Sequence, residues 1–136
     1  MTDDLKTACR LLPGHTCVLV KGDAVRISDK TGIRPLLDWL EEAGEPLRGA
    51  SVADKVVGKA AALLLVYGGA AALTAGVVSE PAAAVLRAAG LPFEAGQVTG
   101  RIVNREGTGL CPMEERVMDT DSPAEAYRRL KAVLSK

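Results

Sequence analysis

From Ala60 to Ser79 the chain runs for 20 residues without a charged side chain. A stretch of that length and polarity either spans a bilayer or is buried on all sides in a protein core. Its make-up decides between the two. Gly68, Gly69 and Gly76 interrupt it, alanine and glycine make up half of it, and Lys59 and Glu80 bound it closely. Alanine and glycine insert weakly into lipid, and a relaxed span does not have charges at its margins. A buried helix, a glycine turn and a buried strand fit the run better. No membrane association is expected.

Composition points the same way. Of 136 residues 48% are hydrophobic and only 3% aromatic, with 21 alanines, 17 leucines and 14 valines. This is enough for a core and too much for a disordered chain, and the length suits one domain covering residues 1–136. Alanine buries little area, so such a core works by close approach of elements rather than by large anchors. The 17 Lys and Arg balance 17 Asp and Glu, which argues against a nucleic-acid polymer as partner. Three cysteines without C-x-x-C spacing do not make a disulfide scaffold. Asp3 and Asp4 stand where a secretory signal needs positive charge. A cytoplasmic setting is the expectation.

The element order follows from spacing and punctuation. Leu5, Ala8, Leu11 and Leu12 fall at helical spacing, and Pro13-Gly14 ends that helix. Residues 16–20 and 24–28 read as strands joined at Lys21-Gly22-Asp23 into a hairpin. Arg34-Pro35 opens a helix that closes near Gly44. Ser51 to about Tyr67 reads as one long helix, Ala70–Val78 as a strand, and Ser79–Ala89 as a helix capped by Gly90. Short strands are expected near Glu94–Val98 and Arg101–Asn104, then a short helix opened by Pro112 and a last one from Pro123 to Leu134. Helices interleaved with strands predict a three-layer α/β/α sandwich.

Two helix starts draw the chemistry. Ser51-x-x-Asp54 reads as a capping box, and Lys55 and Lys59 would share one face of the helix it opens. Because the rest of that helix is apolar, the two lysines would emerge at one end or face a polar cavity. Ser79-Glu80-Pro81 is the second start, with Ser79 as N-cap. In α/β sheets ligands bind at this edge, and paired helix starts with two lysines would suit a phosphate or carboxylate. Cys111 is a third candidate, since a thiol at the start of the Pro112 helix would tend towards thiolate. Glu114 and Glu115 complement that helix's dipole, and one of them can pair with Lys55 or Lys59. His15 with Cys9 and Cys17 fits no zinc spacing. P-loop, Rossmann and G-x-S-x-G motifs are absent from the sequence.

Asp54-Lys55-Val56-Val57-Gly58-Lys59-Ala60-Ala61-Ala62, Ser79-Glu80-Pro81, Asn104-Arg105 and Cys111-Pro112-Met113-Glu114 together resemble a small bacterial and archaeal family of unknown function. The resemblance covers about Leu5 to Leu134. That family is grouped by fold with the cytidine-deaminase-like superfamily, which implies a mixed sheet of about five strands. It also implies a cleft lined by Asp54, Lys55, Lys59, Ser79 and Glu80. Zinc deaminases hold their metal through His/Cys-x-Glu at one helix start and Pro-Cys-x-x-Cys at the next. Here those places read Asp54-Lys55-Val56 and Pro81-Ala82-Ala83-Ala84-Val85. Neither zinc nor another cofactor is expected, and zinc-dependent deamination is not expected either.

The leading expectation is therefore a metal-free deaminase-like domain that binds a small anionic or nucleotide-like molecule. Lys55 and Lys59 would supply charge, Ser79 and the helix amides donors, and Asp54 would orient a lysine. A second expectation is an enzyme using Cys111 for sulfur transfer or covalent catalysis. A sulfurtransferase branch of the same superfamily, which uses a loop cysteine, offers a fold-level analogy. A third is a non-catalytic interaction domain, with homodimerisation through a sheet edge or an alanine-rich helix face.

Overall fold

A computed structural model describes residues 2–100 and 112–134. The elements run α1 (Asp3–Leu11), β1 (Cys17–Lys21), β2 (Ala24–Ser28), α2 (Arg34–Glu41), β3 (Ser51–Val57), α3 (Lys59–Gly68), β4 (Ala72–Ser79), α4 (Glu80–Ala88), β5 (Phe93–Thr99), α5 (Pro112–Val117) and α6 (Pro123–Leu134). They form a mixed α/β structure around one five-stranded open sheet of order β2-β1-β3-β4-β5. The β1–β2 hairpin and the β1–β3 pair are antiparallel, while β3, β4 and β5 are parallel. Each parallel pair needs a crossover, and α3 and α4 supply the two.

The uncharged run has the form its composition requires. Its first half is α3, in which Ala60 to Leu65 are all buried, and its second half is β4. A helix apolar on every side must be covered on every side. The sheet lies against one flank of α3, with α2, α4, α5 and α6 around the rest. Tyr67 at its end stacks on Tyr127 of α6, ring centroids 4.7 Å apart. Among the described residues the other face of the sheet carries only α1, packed through Ala8 on Val18, Val20 and Ala53. Among the described residues no helix is long and apolar enough to cross a membrane.

One expected element is wrong. Residues 51–67 do not form a single helix: β3 takes Ser51–Val57, and α3 begins only after Gly58. The valine-rich sequence Val52-Ala53-Asp54-Lys55-Val56-Val57 pairs with β1 on one side and β4 on the other, and this pairing overrides the apparent capping box. The face shared by Lys55 and Lys59 disappears with that helix. The strand expected near Glu94–Val98 is β5, whereas the one expected at residues 101–104 lies outside the described residues.

Two of the parallel strands, β3 and β4, share an irregularity at one level. Val52 of β3 packs in the large core, and so does Val57, whereas Val56 is exposed. Strict alternation would have placed Val56 inside. In β4, likewise, Leu73 and Ala75 are in the core and so is Val78. The Asp54 carboxyl stands at this level, and the nearby Lys55 and Val56 amides pull its pKa down. The neighbours follow closely only because they lack side chains: a Cβ on Gly76 would lie 2.9 Å from the Lys55 carbonyl oxygen, and one on Gly96 2.9 Å from that of Gly76.

Candidate functional site

A cavity of about 250 Å³ lies at the C-terminal end of β3, beside Asp54. Its walls are Thr16 before β1, Thr31, Gly32 and Ile33 before α2, Asp54, Lys55 and Val56 of β3, Gly58, Ala60 and Ala61 at the start of α3, and Met113 and Glu114 of α5. Carboxyl ends of parallel strands are where α/β sheets usually bind ligands. Two carboxyl groups, two threonines and an exposed lysine stand in an otherwise apolar lining.

Asp54 is buried, 8% exposed. It lies directly across the antiparallel β1–β3 pair from Cys17, and the thiol and the carboxyl shift each other's pKa. Burial pushes the Asp54 carboxyl up to about 7, against the opposing pull of the Lys55 and Val56 amides and the Cys17 S–H. Burial also raises the Cys17 thiol, and the neighbouring Asp54 charge and hydrogen bond raise it further. Cys17 is accordingly a protonated donor and Asp54 a carboxyl that changes charge near neutrality.

The second carboxylate holds the helix beside it. Glu114, also 8% exposed, accepts from the Lys59 amide through Oε1 at 2.6 Å and from the Ala60 amide through Oε2 at 2.7 Å. A helix leaves its first amides without partners, and the N-cap of α3 is Gly58, which has no side chain to offer. Glycine is required there for a second reason. A Cβ on Gly58 would lie 2.1 Å from Glu114 Oε1 and 2.6 Å from its carboxyl carbon. The carboxylate thus enters through space that only glycine leaves, and it meets the positive end of the helix dipole.

Several expected site residues lie elsewhere. Asp54 and Lys55 line the cavity from a strand, not a helix start. Among the described residues no lysine pairs with Asp54; the groups that act on its carboxyl are the Cys17 thiol and the Lys55 and Val56 amides. The Lys59 ammonium lies away from the cavity, 3.0 Å from Asp121 Oδ1 and 3.2 Å from the Met118 carbonyl. Ser79 caps α4 as its sequence implied, its Oγ accepting from the Ala82 amide at 3.1 Å, and it is fully buried. Neither Ser79 nor Glu80 lines the cavity. The two helix starts therefore do not offer free amides to one ligand: Glu114 occupies one and Ser79 the other. Cys111 lies outside the described residues. His15 pairs with Asp29 at 2.7 Å on the surface, and among the described residues no three of His, Cys, Asp and Glu converge.

Residues 12–134 match a family described as "TM1506: Domain of unknown function (DUF1893)". The chain belongs to the DUF1893 family. A crystal structure of a DUF1893 protein, TM1506 from Thermotoga maritima, is similar to this chain at a TM-score of 0.84 and 27% identity. The match covers 99% of this chain and 91% of that one. No curated protein matches. For this DUF1893 chain the residues that sequence reasoning missed are Cys17 and Gly58. Glu114 is read from the sequence as complementing its own helix's dipole or pairing with a lysine, whereas it caps α3. Gly58 carried a readable signal, since a glycine before Lys59-Ala60-Ala61-Ala62 leaves a helix start in need of a distant acceptor.

Proposed function

We propose that this DUF1893 chain is a small-molecule-binding domain of cytidine-deaminase-like kind, with its ligand in the cavity at the end of β3. The observation that carries this reading is a buried carboxyl, Asp54, facing a cavity of about 250 Å³ whose other walls are largely apolar. A mostly apolar pocket with a few fixed polar groups is the usual form of a ligand site. Support for the deaminase-like kinship comes from the sequence motifs and from helices on both faces of a mixed sheet.

The lining also selects the ligand. With Asp54 and Glu114 in its walls, the interior favours an uncharged group bearing N–H or O–H donors, as a nucleobase does. An anionic portion such as a phosphate belongs near Lys55, the exposed cation among the lining residues. A nucleotide-like ligand fits this arrangement better than a simple anion. The reading goes with a cytoplasmic setting, where the free thiols of Cys9 and Cys17 persist.

Thermal shift and saturation-transfer NMR with cytidine, uridine, adenosine and their monophosphates test it. Nucleosides should raise Tm in the wild type and fail to do so in Asp54→Asn. Monophosphates should bind more tightly than nucleosides, and Lys55→Ala should remove that advantage. Binding that Asp54→Asn leaves untouched, or no binding by any of these compounds, would sink the reading.

A further inference from the structure

We propose that the pocket between α2 and the C-terminal end of α3 is a second binding site, which takes a guanine-type base. The planar ring stacks on Tyr67, Trp39 and Arg48 meet its acceptor atoms, and Glu45 meets its donors. The site is independent of the cavity beside Asp54, which borders the other end of α3, roughly 10 Å away along the helix. The chain has four aromatic residues, and three of them meet here. Trp39 and Tyr67 line a pocket of about 250 Å³, and Tyr67 stacks on Tyr127 with ring centroids 4.7 Å apart. Tyr127 is outside the pocket wall, and its ring also meets the Lys131 ammonium at 5.6 Å. Tyr67 remains 41% exposed, so the pocket borders what the stack leaves uncovered, the other face and edge of its ring. A tyrosine backed by a second ring and a cation is a platform for a further flat ring.

Trp39 adds a donor. It is only 6% exposed, yet among the described residues its indole N–H has no protein partner, and no buried side-chain nitrogen is left unpaired. The N–H therefore reaches the surface, and the surface that Trp39 borders is this pocket. A nearly buried tryptophan whose one polar atom is open and unmet is a donor set to read an acceptor on a ligand. Arg48 and Glu45, also in the wall, pair with each other at 3.3 Å and are otherwise exposed. A guanidinium beside a carboxylate offers donors next to acceptors. Glu45 takes its place through a left-handed backbone, φ +48°, which glycine or asparagine adopts more readily. The Lys21 ammonium holds its carbonyl at 3.2 Å. Among nucleobases guanine fits this set best. Its O6 and N7 accept from Arg48 and the Trp39 indole, and its N1–H and N2–H₂ donate to the Glu45 carboxylate. Adenine presents a single donor group, and uracil has no amino group.

Titrating the full chain with guanosine, inosine, adenosine and uridine tests this. The readout is the Trp39 indole N–H resonance in proton–nitrogen NMR, which is unambiguous because the chain has one tryptophan. Guanosine should move that resonance saturably, at least tenfold more tightly than adenosine or uridine. Inosine, which lacks the N2 amino group, should bind at least tenfold more weakly than guanosine. The Glu45 side chain is 69% exposed, so Glu45→Gln keeps the fold, and it should remove the advantage of guanosine over inosine. Tyr67→Ala should abolish the shift, and Asp54→Asn should leave it unchanged. If Tyr67→Ala does not fold, Glu45→Gln and the inosine comparison decide. An indole resonance that stays still at millimolar guanosine would overturn the proposal. Equal affinity for all four nucleosides would overturn it too, since ring stacking without recognition would remain. Loss of the shift in Asp54→Asn would place guanosine in the cavity of β3 and end the claim to a second site. The ligand reading of that cavity is scored by other nucleosides and by Asp54→Asn, so either proposal can fail while the other stands.

Discussion

Two strand-to-helix junctions lie side by side in this molecule, and they solve one problem in opposite ways. β4 runs into α4 through Ser79, which caps its own helix three residues on. β3 runs into α3 through Gly58, and the cap arrives from Glu114, 55 residues away from the amide it serves. A local cap fixes one helix start. A distant one also ties two parts of the fold together and builds a wall beside whatever lies between them. The cavity lined by Asp54 and Glu114 is found at the second junction.

The sharpest way to break this contrast is Gly58→Ala. A Cβ at 2.1 Å from Oε1 cannot coexist with the seated carboxylate. The variant therefore loses two charge-assisted hydrogen bonds and leaves one buried and one partly buried amide unmet, at about 1.5–3 kcal/mol for each bond. A loss of about 4 kcal/mol in urea denaturation is expected. A loss under about 1 kcal/mol would mean that the amides find another partner and that the distant cap contributes little.

Asp54 gives the next effect. Its folded carboxyl titrates at about 7, above the ordinary value of 3.8, so between those values the folded chain binds a proton that the unfolded chain has lost. Stability is therefore favoured at low pH and falls as pH rises, levelling off above the folded value. From pH 5 to pH 8 the fall amounts to about 2–3 kcal/mol at about 1.4 kcal/mol per pKa unit. Asp54→Asn should flatten this slope, and chemical denaturation across that range checks it. A wild type equally stable at both ends would show that the carboxyl is better solvated or better paired than its burial implies.

How much of this could be read beforehand follows the same division between local and distant. Ser79-Glu80-Pro81 announced α4 because cap and capped amide lie within one turn of sequence. The hairpin, α1, α2 and α6 were legible for similar reasons, through turn residues and helical spacing. Ser51-x-x-Asp54 misled because it has the form of a capping box while its valines favour a strand, and only pairing with β1 and β4 decides. Once β3 is a strand, the meeting of Asp54 with Cys17 is a matter of register; read as a helix, it was out of sight. Glu114 was noticed as a charge to be paired with a lysine. The chain pairs it with backbone amides instead, which no short-range pattern encodes.

Ser79→Ala tests the local side of the contrast directly. Removing a serine N-cap typically costs about 1 kcal/mol, and Ser79 is fully buried, which leaves the Ala82 amide without water as a substitute. A loss of about 1–2 kcal/mol is expected, clearly below that of Gly58→Ala. Equal losses at the two junctions would end the distinction drawn between them.

The smallest effect separates the two links between α3 and the α5–α6 segment. The Lys59 backbone amide is held by Glu114, while the Lys59 ammonium meets Asp121 at 3.0 Å. The two bonds share a residue but not an environment. The Asp121 side chain is 90% exposed, so water and salt screen its charge, and the ammonium keeps the Met118 carbonyl when Asp121 is neutralised. Exposed ion pairs are worth about 0.2–1 kcal/mol. Asp121→Asn should therefore cost less than about 0.5 kcal/mol, and less again in 1 M salt. It should also leave exchange at the Lys59 and Ala60 amides unchanged. If Asp121→Asn instead accelerates those amides as strongly as Glu114→Gln does, the distant cap depends on the ammonium link as much as on the carboxylate.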